Sequence, residues 1–343
     1  MKALVHTEPF RLEYTDFPQP ALRGQDVLIR VKACGICGSD VHGYTGQTGR
    51  RIPPIIMGHE AAGVIEEVGA EVSDLSRGER VCFDSTVYCN QCEPCRSGQY
   101  NRCQKRQVLG VSVAGMKRQG AFADLVTVPS WIVSKLPEGL SFTQATLLEP
   151  LSIAVHAVNR APSPEGKTVL ILGAGTIGLL ILQAVQLKGA GTIIVSDLNE
   201  QRLELARQFG TSLAVNPRTV DLLGLVQDET DGQGADIVFE AVGIRQTLQQ
   251  AVAATRMGGH ITLVGNLESR VEMNPQEIVS RELTISGSYA NAGEYRQCID
   301  LLSSGKIDVE TLISEVLPLS EGQAAFDRLH KAEENLLKVI LEP

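Results

Sequence analysis

Four cysteines are concentrated in one short segment of the chain. They are spaced as Cys89-x2-Cys92-x2-Cys95-x7-Cys103, within fifteen residues. Such close spacing lets four thiolates converge tetrahedrally on a single ion, which is typical of a closed structural zinc site. Two disulfides and an iron–sulfur cluster are the alternatives, although the final gap of seven residues does not match the bacterial ferredoxin pattern. We predict a structural zinc, and because its four ligands leave no open position, this metal would stabilise a loop.

A second set of potential ligands is chemically mixed. Cys37 follows the alternating apolar run 27–33, which predicts a strand, and His59 and Glu60 come about twenty residues later. A thiolate, an imidazole and a carboxylate can together hold a catalytic zinc that keeps one position open for a substrate. Each residue alone is weak evidence, because a single histidine before a strand more often has a structural role. It is the combination that predicts a second zinc.

A glycine-rich turn indicates a nucleotide site in the second half of the chain. The apolar run 168–172 is followed by Gly173, Gly175 and Gly178, and then by a helical pattern. In this context Gly-x-Gly-x-x-Gly is a dinucleotide fingerprint. The first glycine makes the turn, the second admits the pyrophosphate, and the third lets helix and strand pack closely. The free N–H groups at the helix N-terminus would bind the phosphates.

The coenzyme preference depends on the residue that ends the next predicted strand. Asp197 lies 19 residues after Gly178, where a carboxylate accepts hydrogen bonds from the adenosine ribose and repels a 2′-phosphate. NAD is therefore predicted in preference to NADP. Two observations keep alternatives open: Arg202 is close enough in sequence to serve a phosphate, and Asp197 could instead cap the helix that follows.

These residues must be positioned by two different kinds of structure. The first 150 residues are rich in strands and turns, whereas strands alternate with helices further along the chain. The later elements are predicted as strands at 168–172, 192–196, 235–239, 260–265 and 283–287, with a helix near 247–255. Such alternation implies an α/β fold with a parallel, doubly wound sheet that binds its ligand at the carboxyl ends of the strands.

Composition and charge exclude several classes of protein. The 343 residues suggest two domains, and 31 basic against 40 acidic residues give a net charge of −9 without a basic block, so no nucleic-acid partner is expected. The charge-free run 168–187 is long enough for a membrane span, but its glycines and glutamines favour a strand, a turn and a helix. Without a membrane segment or an apolar signal segment at the N-terminus, the chain is expected to be cytoplasmic.

Three motifs resemble those of one known family. Gly58-His59-Glu60-x2-Gly63-x5-Gly69-x2-Val72 is similar to the zinc signature of the medium-chain alcohol dehydrogenases, and Cys37-Gly38-Ser39-Asp40, His42 and the four cysteines follow that family's order. The resemblance covers essentially the whole chain. It implies a barrel-like, GroES-like catalytic domain over 1–150, completed by about 292–343, and an NAD-binding Rossmann domain over 151–291. It also implies two zinc ions per chain, with Cys37 and His59 on the catalytic one, and a homo-oligomer, either a dimer or a tetramer.

The position of Glu149 resembles one branch of that family. Glu149-Pro150 stands where the classical alcohol dehydrogenases have a second cysteine ligand. This resembles the polyol branch, which includes sorbitol, threonine, butanediol and galactitol-phosphate dehydrogenases. In that branch Glu60 ligates zinc, and Glu149 would contact the metal directly or through water. The residues themselves leave another interpretation of Glu149, because acids are favoured in the first turn of a helix.

The resemblance also implies roles in proton transfer and coenzyme binding. Ser39 and His42 match the family's relay, in which the substrate's proton passes from a hydroxyl group through the coenzyme ribose to an imidazole; alternatively, Ser39 only stabilises a turn and His42 lies at the surface. The residues expected at the coenzyme are Gly173, Gly175, Ile177, Gly178, Asp197, Arg202, Val264, Gly265, Ser288 and Tyr289. Together with a zinc that polarises the alcohol, these imply reversible NAD-dependent oxidation of a secondary hydroxyl group to a ketone.

Several positions near the expected site bear on the identity of the substrate. Sorbitol dehydrogenases have an Arg-Tyr pair where this chain has Ser288-Tyr289, which counts against sorbitol itself. Arg50 and Arg51 either bind a phosphate or carboxylate of the substrate or form a solvated turn, and Tyr44 is a candidate for the pocket wall. We expect a polyol, a sugar, or an acidic or phosphorylated sugar derivative. The alternatives are a threonine- or butanediol-type secondary alcohol and a non-catalytic nucleotide- and zinc-binding protein.

Overall fold

The computed structural model describes residues 1–113, 116–332 and 335–343, which fold as two units. The first unit comprises residues 1–149 and 292–343, and the second comprises residues 150–291. The described strands are β1 (Lys2–Glu8), β2 (Arg11–Asp16), β3 (Asp26–Gly35), β4 (Ile55–Ile56), β5 (Glu60–Val68), β6 (Arg80–Phe83), β7 (Thr86–Val87), β8 (Gln107–Val108), β9 (Ser112–Val113), β10 (Met116–Lys117), β11 (Leu125–Pro129), β12 (Val133–Lys135), β13 (Val169–Leu172), β14 (Ile193–Ser196), β15 (Leu213–Val215), β16 (Ala235–Glu240), β17 (Thr255–Leu263), β18 (Thr284–Gly287), β19 (Ile313–Pro318) and β20 (Lys338–Glu342). The described α-helices are α1 (Gly38–Tyr44), α2 (Glu93–Arg96), α3 (Phe142–Thr146), α4 (Leu148–Arg160), α5 (Thr176–Leu187), α6 (Glu200–Gln208), α7 (Leu222–Asp228), α8 (Arg245–Ala254), α9 (Pro275–Ser280), α10 (Tyr295–Ser303) and α11 (Gly322–Lys331).

The largest sheet of the first unit brings distant segments together. Its strands run in the order β12-β6-β5-β3-β20-β19, and β11 also pairs with β3. β3 and β5 are antiparallel with Gly35 opposite Glu60, so the end of β3 that leads to Cys37 lies beside the start of β5. On the other side of β3, Ile340 of β20 is also opposite Gly35. Three segments that are far apart in sequence therefore meet at this end of β3.

The sequence pattern of β3 explains which of its faces is buried. Ile29 and Val31 are buried, whereas Arg30 and Lys32 between and after them are exposed. This alternation is typical of an antiparallel strand with one face on a core. The core of the first unit includes Phe83 among its fully buried side chains. The alternation of buried and exposed residues therefore identifies the face of β3 that packs on this core.

The second unit contains a parallel sheet. Six strands of its described residues run in the order β15-β14-β13-β16-β17-β18, and every pair is parallel. This is the spatial order of a doubly wound Rossmann fold, so the predicted α/β class is confirmed. β13 is buried along its whole length, which explains its uninterrupted apolar sequence. The charge-free run 168–187 forms β13, a turn and α5, and no helix in the described ranges is long and apolar enough to cross a membrane.

Two predicted boundaries in the second unit differ from the structure. β17 begins at Thr255 rather than at residue 260, and α8 covers Arg245–Ala254 rather than 247–255. The start of β17 is hidden in the sequence because Arg256 is charged and Gly258, with a φ of +67°, is a glycine typical of a turn. Both residues interrupt the apolar pattern on which the prediction depended.

Gly178→Ala is expected to destabilise the second unit. A Cβ atom at Gly178 would lie 1.8 Å from the carbonyl oxygen of Gly173, which belongs to the backbone. Overpacking of this kind costs about 1–3 kcal/mol, so the thermal unfolding midpoint should fall. Gly175→Ala is the matched control, because a Cβ there meets no described atom within 4 Å. Equal midpoints for the two variants in coenzyme-free thermal scans would contradict the close packing of α5 on β13.

Candidate active site

Cys37, His59 and Glu60 come together where β3 ends and β5 begins. The Cys37 side chain caps helix α1 and accepts a hydrogen bond of 3.5 Å from the Ser39 N–H group. His59 follows Gly58, whose φ of +89° is a conformation that favours glycine. One donor atom from each of the three residues lies within 4.8 Å of the others. His59 and Glu60 are buried, and Cys37 is partly buried.

Asp40 supports this group, a role that the sequence did not reveal. It is fully buried, and its Oδ2 lies 3.4 Å from His59 Nδ1 and accepts a bond of 3.4 Å from the Cys37 N–H group. Its Oδ1 accepts from Arg51 Nη2 at 2.9 Å. Burial raises the pKa of Asp40, but His59 and Arg51 outweigh burial and hold that pKa well below its usual range. An ionised carboxylate in this position orients the imidazole ring of His59.

Lys338 is a second supporting residue that sequence reasoning missed. Its side chain is 3% exposed, and Nζ donates to Glu60 Oε2 at 2.6 Å and to the carbonyl oxygen of Ile36 at 3.2 Å. Burial lowers the pKa of Lys338, but Glu60 and Cys37 raise it above its ordinary value. The available signal was a single lysine inside the apolar run 336–341, although nothing in that run identifies Glu60 as its partner.

Glu149 lies in the first turn of α4 and is buried. Its Oε1 accepts a hydrogen bond of 2.8 Å from the Ser85 hydroxyl group. Burial raises the pKa of Glu149, and the nearby carboxylate of Glu60 raises it further, whereas His59 lowers it. The described group with mutual distances below 4.8 Å consists of Cys37, His59 and Glu60. Direct ligation by Glu149 therefore stays a prediction.

The residues of this group fit a zinc ion. They offer one sulfur, one nitrogen and one oxygen donor, all of which zinc accepts, and three protein ligands are typical of a catalytic zinc. Burial lowers the pKa of His59, but Asp40 and Cys37 raise it well above its ordinary value. The surroundings thus favour a positive charge, and a divalent cation would compensate the buried acidic groups.

The four cysteines of the second group also lie together. Cys92 Sγ is 3.4 Å from Cys95 Sγ and 3.9 Å from Cys103 Sγ, and Cys89 Sγ is 4.0 Å from Cys95 Sγ. Four sulfurs placed tetrahedrally about 2.3 Å from one zinc ion are separated by about 3.8 Å, so the arrangement fits. All four are free thiols. Backbone N–H groups, first that of Gln104, lower the pKa of Cys92 to about 6, which favours the thiolate that binds metal.

Ser39 and His42, the predicted relay residues, both lie on α1. The Ser39 hydroxyl group is 3.3 Å from Cys37 Sγ, to which it donates, and it accepts from Arg51 Nη2 at 3.0 Å. His42 is in the last turn of α1 and reaches solvent. Partial burial, and then the nearby His330, lower the pKa of His42 below its ordinary value. A neutral imidazole at the surface can accept a proton near neutral pH.

Two residues expected at the substrate have other positions. Arg51 is buried beside Asp40, which neutralises its charge, so it neither binds a substrate anion nor belongs to a solvated turn. Arg50 is exposed. Tyr44 is fully buried, and its hydroxyl oxygen lies 2.7 Å from Asp327 Oδ1, so it is a core residue and not part of a pocket wall. Both expectations were wrong: Tyr44 lies on the face of α1 that packs on the core, and Arg51, beyond the turn after α1, folds back over Gly43.

Asp197 fixes the glycine turn that follows β13. Its Oδ2 accepts a hydrogen bond of 2.7 Å from the Ala174 N–H group, and its Oδ1 accepts one of 2.9 Å from the Asn199 N–H group. The residue that caps α6 is Asn199. The interpretation of Asp197 as a simple helix cap is therefore wrong, and Asp197 instead joins the end of β14 to the turn.

The N-terminus of α5 is open to an anion. Gly175 is its N-cap residue and has no side chain to occupy the first N–H groups of the helix. Backbone N–H groups in this position bind phosphates. Gly173 adopts a φ of +101° in the turn before it. The first turns of α5 and α6 carry the other predicted coenzyme contacts, Ile177 and Arg202.

Two loops touch at the carboxyl ends of β16 and β17. A Cβ atom at Gly265 would lie 2.1 Å from the nitrogen of Gly243, so the loops approach at backbone distance. Glu240 is fully buried, and its Oε1 accepts a bond of 2.8 Å from the Gly243 N–H group. Sequence reasoning missed this carboxylate, although its place directly after the apolar run 235–239 was a signal. Of the predicted coenzyme contacts, Val264 and Gly265 follow β17, and Ser288 and Tyr289 follow β18.

Fold and site together define a zinc-binding dehydrogenase with a Rossmann unit. Residues 23–138 match the alcohol dehydrogenase GroES-like domain, and residues 176–304 match the zinc-binding dehydrogenase family. Sorbitol dehydrogenase of Bacillus subtilis strain 168 is 35% identical over 100% of this chain and 97% of that protein. L-Idonate 5-dehydrogenase of Vitis vinifera is 37% identical over 88% of this chain and 83% of that protein. The crystal structure of a zinc-binding dehydrogenase from Sinorhizobium meliloti 1021, bound to NADP, has a TM-score of 0.91 at 31% identity and covers 100% of this chain and 99% of that one.

The chain belongs to the zinc-dependent medium-chain alcohol dehydrogenases, in their polyol dehydrogenase branch. The predicted family and its two kinds of domain, GroES-like and Rossmann, are confirmed by these matches. Zinc and a nicotinamide dinucleotide are the cofactors that the family implies, and the two groups of donors and the glycine turn fit them. The chain is thus an oxidoreductase.

Cys89→Ser is expected to destabilise the chain more than Cys37→Ser. The four-cysteine group fixes a loop with little other regular structure, whereas Cys37 lies between strand β3 and helix α1, which hold it in place without the metal. The thermal midpoint should fall by roughly 5–10 °C more for Cys89→Ser, corresponding to about 3 kcal/mol. Plasma mass spectrometry should find one zinc fewer than in the parent for each variant. Equal thermal midpoints would contradict the division into a structural and a catalytic metal site.

Proposed function

We propose that this chain catalyses the reversible, zinc- and NAD-dependent oxidation of a secondary hydroxyl group of a polyol, sugar or sugar derivative to a ketone. The observation that carries this proposal is the three-donor group of Cys37, His59 and Glu60. Three protein donors leave a fourth position for a substrate oxygen. A protein that used zinc only for stability would need the closed cysteine site and nothing more.

Two zinc ions per chain are proposed, with different tasks. Cys89, Cys92, Cys95 and Cys103 would hold the structural ion. Cys37, His59 and Glu60 would hold the catalytic ion, with Glu149 contributing directly or through water. When bound there, zinc supplies Lewis-acid stabilisation of negative charge on the substrate oxygen. Lys338 holds Glu60 and Asp40 holds His59, so the donors are oriented before the substrate binds.

Ser39 and His42 are proposed to remove the hydroxyl proton. A serine hydroxyl group donates one hydrogen bond and accepts two, so it can accept the substrate proton while it passes on its own. His42 reaches solvent, and its lowered pKa keeps the imidazole neutral and ready to accept that proton near pH 7. The transfer leaves Ser39 unchanged and delivers one proton to water for each hydride that the coenzyme receives.

NAD is proposed as the coenzyme because Asp197 places a carboxylate after β14, beside the glycine turn. A carboxylate in this position repels the 2′-phosphate of NADP. The structure from Sinorhizobium meliloti was solved with NADP, so family membership alone does not decide the coenzyme. The coenzyme contacts proposed are Gly173, Gly175, Ile177, Gly178, Asp197, Arg202, Val264, Gly265, Ser288 and Tyr289.

Neutral polyols and sugars are proposed ahead of phosphorylated or acidic substrates. Arg51, which the sequence offered as an anion site, is neutralised by Asp40 inside the unit. The relatives act, by their names, on sorbitol and on L-idonate, which represent a neutral and an acidic substrate. Ser288 stands where sorbitol dehydrogenases have an arginine, so a polyol other than sorbitol is favoured. Assembly as a tetramer or dimer stays a prediction, for which light scattering is the test.

The first test is NADH production at mildly alkaline pH over polyols, sugar acids, sugar phosphates, threonine and butanediol. We expect turnover of one stereochemical class of neutral polyol with NAD. The control is the Cys37→Ser variant, which should lose at least about a thousandfold in kcat/KM because the metal donor set is broken. If threonine alone is oxidised, the proposed polyol or sugar class is wrong and the threonine-type alternative is correct. No turnover of any compound by a chain that holds two zinc ions and binds NADH would overturn the proposed function.

Asp197→Asn is expected to shift the coenzyme preference towards NADP. The variant removes the negative charge but keeps an oxygen that can accept from the Ala174 N–H group. The ratio of kcat/KM for NAD to that for NADP should fall at least about tenfold, because one repulsive charge near a phosphate is lost. Asp221→Asn is the matched control, since Asp221 caps α7 and asparagine caps equally well. An unchanged ratio in Asp197→Asn would contradict the role of Asp197.

A further inference from the structure

Arg51 joins two groups of the proposed site. Its side chain is 5% exposed. Nη2 donates to Ser39 Oγ at 3.0 Å and to Asp40 Oδ1 at 2.9 Å, and Nε reaches the same Oδ1 at 3.3 Å. One planar guanidinium group therefore holds a hydroxyl group and a carboxylate in a fixed relation. A lysine ammonium is a single point donor and lacks this fork geometry.

Both partners of Arg51 touch the metal donors. The other oxygen of Asp40 lies 3.4 Å from His59 Nδ1 and 3.4 Å from the Cys37 nitrogen. The Ser39 hydroxyl group is 3.3 Å from Cys37 Sγ. Arg51 therefore makes no described hydrogen bond to Cys37 or His59 themselves. It binds and orients Ser39 and Asp40, and these two residues contact the donors.

The fold makes room for Arg51 at one particular position of α1. A Cβ atom at Gly43 would lie 2.2 Å from Arg51 Cγ. The aliphatic part of Arg51 therefore passes directly over Gly43, and any larger residue there would displace it. This glycine lies inside a helix, where glycine is unfavourable relative to alanine by about 1 kcal/mol. The passage of Arg51 gives a physical reason for glycine at residue 43.

We propose that Arg51 is a positioning residue for proton release, which rests on the proposed function. A serine hydroxyl group has one hydrogen to donate and two lone pairs that accept. Arg51 occupies one lone pair of Ser39 Oγ and leaves one for the substrate hydroxyl group. The substrate proton then bonds to Oγ, while the proton already on Oγ, which points to Cys37 Sγ in this structure, turns from that sulfur and leaves in the direction of His42. Arg51 holds Oγ in place, and the guanidinium charge stabilises Oγ as its own proton leaves.

The test compares Arg51→Lys with the same substitution at the adjacent, exposed Arg50. In Arg51→Lys, kcat should fall at least about tenfold, since a charged hydrogen bond to the reacting hydroxyl group is lost, while KM changes less than about threefold. The solvent deuterium isotope effect on kcat should increase, and the zinc content should equal that of the parent chain. Arg50→Lys should keep kcat within about twofold. A kcat for Arg51→Lys within the same limit overturns the proposal.

A double-mutant cycle separates positioning from a general structural role. In a Ser39→Ala background there is no hydroxyl group to orient, so Arg51→Lys should change kcat less than about twofold. An undiminished loss in that background overturns the proposal. Gly43→Ala provides a second variant if Arg51→Lys does not fold, because it keeps the charge and displaces only the stem. It should reproduce the loss of kcat and the larger isotope effect, and a parental kcat would count against Arg51.

A measurement without turnover keeps this inference distinct from the proposed function. A crystal structure of the parent chain loaded with zinc and NAD should show Arg51 Nη2 within hydrogen-bonding distance of Ser39 Oγ. A separation beyond about 4 Å overturns the positioning role whatever the activity. If the parent chain keeps this contact but oxidises no alcohol, the proposed function is overturned. The contact would then only hold the Ser39 side chain in place, and Arg51 would have no role in proton release.

Discussion

The register of β3 between β5 and β20 is the constraint on which the rest of the site depends. Gly35 stands opposite Glu60 on one side and opposite Ile340 on the other. This single alignment places Cys37, Glu60 and Lys338 at one end of β3. A slip of one residue in either pairing would turn the side chains of a whole strand to the opposite face. Backbone hydrogen bonding along the strands therefore fixes the positions of the metal-donor residues, and side-chain rotamers only adjust the donor atoms.

Two buried carboxylates of the first unit are paired with buried cations. Asp40 is neutralised by Arg51 and Glu60 by Lys338, at 2.9 Å and 2.6 Å. Taking an ion out of water costs several kcal/mol, and a buried pair is tolerated only when its geometry is good. The pairing also orients what remains: Asp40 uses Oδ1 for Arg51 and directs Oδ2 towards His59 Nδ1 and the Cys37 nitrogen. Stability and preorganisation of the site therefore depend on the same contacts.

The sequence predicted best what is encoded by short spacing. The four cysteines and the glycine turn each lie within fifteen residues, and the alternation of strands and helices predicted the parallel sheet. Lys338 and Arg51 could not be assigned in this way, because their partners depend on the path of the chain. Arg50 and Arg51 look equivalent in sequence, yet one is exposed and the other is buried. The prediction that Tyr44 lines the pocket was wrong for the same reason. Tyr44 is close to His42 along α1, but the sequence does not reveal that its side of the helix packs on the core.

The position of β20 has a consequence for the order in which the chain acquires its structure. β20 pairs with β3 at the end that leads to the metal donors, yet 305 residues separate Ile340 from Gly35. The whole of the parallel sheet, over 150–291, lies between them and is synthesised first. While the ribosome makes this stretch, one edge of β3 at Gly35 lacks its partner, and unpaired strand edges are prone to associate with other chains. Vectorial synthesis therefore completes the nucleotide-binding sheet early and leaves the metal site as a late event, dependent on the arrival of β20.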